Sequence, residues 1–277
     1  MRNHKSYINN LCRYLILFLY AFIILYPFSI VIFTALKTED EIAFDPLGIP
    51  RYLHFENFIS AWKTGHFGKY FINSIVVSFP ITIGTVAFSS LVSYALVFLK
   101  MPGSNLIFLL FLSGLMIPFY SVMIPLYYIL ARLNLIGTYW AMILPSIAGG
   151  LSFGVFYMRA FFRSIPIELL DAARIDGCNE LNVLWKVILP IASPGITTLS
   201  IFNFMGAWNS FLIPLIYLQR EELRPLVVGL LFFRGRYTSQ YPLIMAGVAI
   251  LSLPIIIVYI IFQRKFIEGL TAGAIKG

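Results

Sequence analysis

Long apolar runs separated by short polar islands make up most of this 277-residue chain. Six runs carry no fixed charge, at 14–36, 71–99, 105–131, 139–158, 195–218 and 242–263. Crossing the hydrocarbon core of a bilayer takes about 20 apolar residues in a helix, so each run is a candidate span. The first is longer than the core of a signal peptide, about 7–15 residues, and reads as a retained helix. Pro27, Pro80, Pro118 and Pro254 lie inside the runs. Membrane helices tolerate them because neighbours satisfy the freed carbonyls. The pattern predicts an all-α integral membrane protein with six transmembrane helices.

The polar islands differ from one another. Residues 37–70 mix charges with Phe55, Phe58, Trp62 and Phe67, which predicts a short interfacial helix. Residues 218–241 hold four arginines and read either as a solvated connector or as a surface that touches an external partner. The segment 159–190, between the fourth and fifth runs, concentrates acids: Glu168, Asp171, Asp176 and Glu180 are four of the twelve carboxylates.

Local signals predict an elbow within that segment. Pro166 suits the first position of a helix, where its missing N–H matters little. Glu168 then falls in the first turn, at the positive end of the helix dipole. Asp171 and Arg174 are spaced for a weak ion pair. Ala172 and Ala173 let another surface approach the backbone, and Gly177 ends the helix in a left-handed cap. Asn179 can cap a second helix, whose stripe Leu181, Leu184, Trp185 and Ile188 is apolar and which Pro190 stops. These residues leave two readings open: an amphipathic pair resting on the membrane, or an acidic face that docks a partner.

Composition narrows the function classes. The chain is 60% hydrophobic and 12% charged, against about 25% charged residues in a soluble domain. Its net charge of +8 is explained by basic residues flanking spans and does not point to nucleic acid. Arg2, Lys5 and Arg13 in the head and Arg264, Lys265 and Lys276 in the tail place both ends, and with them the elbow, on the cytoplasmic side. Cys12 and Cys178 form no CxxC pair, so neither a disulfide framework nor a metal site follows.

None of the twelve carboxylates or three histidines lies in a run. An ion-coupled transporter usually keeps an ionisable group at depth despite its cost, which disfavours an ion-coupled secondary transporter. No catalytic cluster sits at a span end, so an enzyme is not expected, and no catalytic, metal-binding or cofactor-binding residue is assigned. Among polar groups inside the runs, Asn203 and Asn209, with Trp208 between them, are the candidates for a substrate pathway. A side-chain amide has no partner of its own in a helix on this reading, and an aromatic ring beside amides suits a sugar.

Asp171-Ala172-Ala173, three residues, Gly177, nine residues, then Val187-Ile188-Leu189-Pro190 resembles the EAA loop of permease subunits of bacterial ABC importers. The departures are Asp171 for Glu and Val187 for Ile. Ile117-Pro118, Ile124-Pro125-Leu126-Tyr127, Arg159-Ala160-Phe161-Phe162, Ala207-Trp208-Asn209 and the ending from Phe266 to Gly277 are similar to the carbohydrate branch, its maltose-type inner subunit. The resemblance is dense from about Met116 onward.

What the resemblance implies is half of a transporter in the bacterial cell membrane. Glu168, Asp171, Ala172, Ala173, Asp176 and Gly177 would couple it to a cytoplasmic ATPase. The expected partners are a second permease as heterodimer, two ATPase subunits holding ATP and Mg, and an extracytoplasmic solute-binding protein that delivers a sugar or oligosaccharide. A polyol or glycerol phosphate derivative is the alternative cargo. This chain has no G-x-x-x-x-G-K-[ST] phosphate loop. The tail 264–277 is expected to reach towards the ATPase interface.

Overall fold

The computed structural model describes residues 2–99, 101–235 and 239–272, with side chains for 10–99, 101–235 and 239–269. In chain order the helices are α1 (Arg2–Ala35), α2 (Glu39–Phe44), α3 (Glu56–Thr64), α4 (Phe67–Phe98), α5 (Ser104–Gly114), α6 (Phe119–Arg132) and α7 (Trp140–Phe162). Then come α8 (Glu168–Ile175), α9 (Glu180–Val183), a π-helical turn at Leu184–Ile188, α10 (Leu189–Ile191), α11 (Ser193–Trp208), α12 (Leu212–Tyr217), α13 (Leu226–Gly229) and α14 (Tyr241–Ala272).

Four helices are long and apolar enough to cross a membrane by themselves: Asn10–Ala35 of α1, α4, α7 and Tyr241–Gly269 of α14. Two bent pairs, α5 with α6 and Glu180–Ile191 with α11, bring the number to six when each counts as one span. The expected span 105–131 is corrected to α5 and α6, which meet at 96°. Pro118 is the cause: it disfavours helix at Ile117 and sits extended, with ψ of 126°. The expected span 195–218 is likewise corrected. Helix α11 ends at Trp208, Asn209 closes it, and α12 restarts two residues before Pro214, within the first turn, where proline costs no hydrogen bond.

The chain divides into two compact units. The first comprises residues 1–68 and 229–253. Here the loop after α1 folds into two short helices, α2 and α3, where one was expected. Lys37 is fully buried and donates from Nζ to the Asp45 carbonyl at 2.6 Å. Asn57 Nδ2 ties the chain down by donating to the carbonyls of Ala35 and Lys37. Phe67 packs edge-on against Phe233.

The second unit comprises residues 69–228 and 254–277. Its largest core gathers Tyr94, Phe98, Met158, Phe162, Leu170, Val183, Leu184, Ile188 and Leu199 from α4, α7, the elbow and α11. Between α7 and α4 the approach is close: a Cβ on Gly154 would lie 2.1 Å from Ser89 Oγ. Small residues at such crossings let helix backbones meet in a membrane. Residues 218–228 correct the solvated-connector reading. Asn73 Nδ2 donates to the carbonyls of Glu222 and Arg224, the Leu226 amide donates to Ser74 Oγ, and Leu226 and Val228 are buried. The Asn73–Ser74 pair thus anchors a loop to the start of α4. At the other end α14 runs on as helix past Arg264, Lys265 and Glu268 to Ala272, so this part of the tail is not frayed. Residues 273–277 of the tail lie outside the described residues.

Candidate functional site

The elbow is built by its own backbone. Helix α8 begins at Glu168, with Ile167 as its N-cap residue, so Pro166 stands just ahead of the helix and not at its first position. Glu168 and Asp171 occupy the first turn, where their charges meet the positive end of the helix dipole. Gly177 adopts φ of +84°. Its N–H donates to the Arg174 carbonyl and that of Cys178 to the Ala173 carbonyl, both at 3.0 Å, which completes a Schellman cap. Asn179 then accepts from the Asn182 amide at 2.9 Å to cap α9, as its position predicts.

Charge ties the two arms together. Arg174 Nη1 donates to Asp171 at 3.2 Å, its Nε to Glu180 Oε1 at 3.0 Å and its Nη2 to Glu180 Oε2 at 3.3 Å. The fork across the elbow to Glu180 was not foreseen, although Glu180 directly follows the cap residue Asn179. Tyr94 of α4 donates its hydroxyl to the same carboxylate. Hydrogen bonds from Arg174 and then Tyr94 hold the Glu180 carboxyl below the usual carboxylate range, and the Glu180 bond in turn pushes the Arg174 guanidinium up.

Glu168, Asp171, Ala172, Asp176 and Gly177 are brought together on the exposed side of the elbow. Ala173 is corrected: it is only 8% exposed and joins Leu170 in the core. The expected stripe on the second arm is corrected too. Val183, Leu184 and Ile188 are buried, whereas Leu181 and Trp185 are 63% and 64% exposed. The π turn at Leu184–Ile188 takes an extra residue per turn and shifts the register beyond it, whereas Leu181 lies ahead of it in α9. Pro190 does not stop the second arm. Helix continues to Ile191, and the chain bends by 80° into α11.

A second feature lies beside α11. A cavity of about 280 Å³ is lined by Phe119, Ser146, Gly149, Asn203, Gly206 and Ser210, among others. Of the three residues singled out for a pathway, Asn203 lines it. Its Nδ2 donates to the Leu199 carbonyl at 2.9 Å, which corrects the expectation that the amide lacks a partner in its own helix. Trp208 is 1% exposed, stacked on Phe204 and edge-on to Phe71. It is a core residue and offers no ring face to a solute. Asn209 is exposed at the end of α11.

The bent spans, the charged elbow that follows α7 and the cavity define a polytopic helical membrane protein of the transporter class. Residues 90–270 match the family described as binding-protein-dependent transport system inner membrane component. The chain is 35% identical over 273 residues to the probable ABC transporter permease protein YurM of Bacillus subtilis (strain 168), covering 99% of this chain and 91% of that one. It is 37% identical over 261 residues to the arabinooligosaccharides transport system permease protein AraQ of Halalkalibacterium halodurans, covering 93% of each. Its fold is similar to that in a crystal structure of a bacterial ABC transporter involved in the import of the acidic polysaccharide alginate, with a TM-score of 0.78 over 95% of this chain and 98% of that one, at 23% identity. The chain belongs to the family of binding-protein-dependent transport system inner membrane components, and is a permease of an ABC importer.

Proposed function

We propose that this chain forms one half of a translocation pathway for a sugar or oligosaccharide, together with a second, non-identical permease. The elbow would seat in a cytoplasmic ATPase, with Glu168, Asp171, Ala172, Asp176 and Gly177 at the contact and Ala173 holding α8 to the core behind them. Both termini and the elbow would then face the cytoplasm, and ATP and Mg would be held by the two ATPase subunits, since this chain has no phosphate loop of its own. A solute-binding protein would deliver cargo on the opposite face. Closure of the ATPase pair would drive the two permeases between inward-open and outward-open states.

The observation that carries the coupling role is the elbow itself. A completed glycine cap fixes the angle between its arms, and Glu168, Asp171 and Asp176 lie exposed on it. The cavity supports a shared pathway. At about 280 Å³ it lies just below the roughly 300–1,000 Å³ of sites that enclose a small molecule. The sugar reading is supported by the arabinooligosaccharide cargo in the printed name of a 37% identical relative.

The test is affinity purification of this chain from gently solubilised native membranes, with mass spectrometry of what accompanies it. Recovery of a different multi-span permease and a phosphate-loop ATPase is the expected outcome. Recovery of the chain as a homo-oligomer without any ATPase would overturn the proposal. A co-isolated binding protein is then screened for sugars, and selective binding of a polyol or glycerol phosphate instead would overturn the choice of cargo.

A further inference from the structure

Arg159 has no part in the coupling or pathway roles, yet it is the most costly side chain in its surroundings. It lies in the last turn of α7 and is 6% exposed. Its Nη2 donates to Asn105 Oδ1 at 3.1 Å, and its guanidinium carbon stands 3.8 Å above the centre of the Phe108 ring. Its Nε is buried without a hydrogen-bond partner. Among the described residues no carboxylate pairs with it; its charged neighbour is Arg163, a second cation one turn on. A buried cation is normally paired with an opposite charge. Asn105 and Phe108 supply only a dipole and a ring quadrupole.

The group that Arg159 reaches is the start of another helix. Asn105 is the second residue of α5, an 11-residue helix whose N-cap is Gly103 and which has no side-chain cap. The amides of a helix's first turn and its dipole favour an anion. An uncapped helix start and a buried guanidinium without a carboxylate therefore meet through Asn105, and the exposed Arg163 stands one turn on from Arg159. Its depth fits the polar edge of a bilayer. Arg159 is three residues from the end of α7 at Phe162, about 4–5 Å along the axis at 1.5 Å per residue. The flanks are apolar, with Leu106, Leu109 and Phe156 exposed.

We infer that a phosphate group, of an anionic phospholipid or free in solution, binds at the junction of the α5 N-terminus with Arg159 and Arg163. Arg159 supplies the charge, Asn105 orients its guanidinium, and Arg163 adds a second cation at the rim. The acyl chains of a lipid would lie along Leu106, Leu109 and Phe156. Clustered basic groups between spans are an established means of holding anionic headgroups.

The test is native mass spectrometry of the detergent-solubilised chain with whatever subunits accompany it. Phosphatidylglycerol or phosphatidylcholine with the same acyl chains is added, with and without millimolar inorganic phosphate. The intact site retains phosphatidylglycerol over phosphatidylcholine, and R163Q, an exposed change that leaves the fold intact, weakens that preference by roughly fivefold. R159Q abolishes it and R159K restores part of it. If the preference is absent but inorganic phosphate raises the melting temperature of the wild type and not of R163Q, the site takes free phosphate. Equal retention of both lipids with no phosphate effect overturns the inference. So does wild-type preference in both R159Q and R163Q.

Discussion

In the elbow, backbone geometry and charge set the shape; beside α11, side-chain packing does. The elbow angle depends on one glycine at positive φ, a capping asparagine and an arginine forked across two carboxylates. All lie within eleven residues of one another in sequence. The cavity depends on α4, α6, α7 and α11 meeting at the right depth, with Trp208 wedged against Phe71 and Phe204 beside it. On the proposed function, a permease that transmits force through its elbow and yields space beside α11 has reason to build the two differently. A locally specified hinge keeps its angle while the bundle around it rearranges.

The sharpest way to break this contrast is to strain the elbow backbone without touching any neighbour. A Cβ at Gly177 would meet nothing within 4 Å in this chain, so within the elbow Gly177→Val acts mainly through its φ of +84°, at roughly 1–2 kcal/mol. We expect ATP-coupled uptake to be lost while the amount of protein in the membrane is unchanged. Gly177→Asn, which tolerates the left-handed region, should keep most of the activity. Wild-type uptake by Gly177→Val would remove the elbow from the coupling path.

The packed end should respond in stability. Trp208→Ala is expected to cost about 3–5 kcal/mol, read as a large fall in melting temperature in detergent. Asn209→Ala next to it, at an exposed position, should shift it little. Equal shifts for the two would contradict the core placement of the indole. A smaller effect belongs to Gly154→Ala, whose Cβ would sit 2.1 Å from Ser89 Oγ. It should destabilise by about 1–3 kcal/mol and recover when Ser89 is also changed to Gly. Gly206→Ala, with open space around it, should stay within about 1 kcal/mol of wild type.

The smallest effect is electrostatic. Glu180 is held below the usual carboxylate range by Arg174 and Tyr94, so its contribution to the elbow is complete at neutral pH. It is lost only as the pH falls through that depressed value. Hydrogen exchange over residues 174–184 should accelerate at low pH in the wild type and already at neutral pH in Glu180→Gln, by the few tenths to 1 kcal/mol of an exposed ion pair. Identical exchange in the two proteins at neutral pH would mean that the fork holds nothing.

The same contrast explains what could be read from the chain before its structure. Gly177, Asn179 and the Asp171–Arg174 pair were legible because each acts on residues within a few positions of itself. The breaks after Gly114 and Trp208 were not, because hydropathy is blind to direction: an apolar run reads alike whether straight or bent by 96°. Pro118 looked like any tolerated membrane proline. Nothing local to Asn73 and Ser74 shows that residues 222–226 bond to them. Trp208 looked available beside two amides, and only the tertiary positions of Phe71 and Phe204 show that it is enclosed.

The arm carrying the π turn at Leu184–Ile188 has one more consequence, for ionic strength. Leu181 and Trp185 stand exposed on it, so the elbow presents apolar surface as well as the carboxylates of α8. A contact made of carboxylates alone would slacken as the Debye length shrinks from about 10 Å at 0.1 M salt to about 3 Å at 1 M. Apolar area is not screened and is strengthened by excluded salts such as sulfate. On the proposed coupling role, the elbow would therefore hold its partner in brine as well as in dilute buffer.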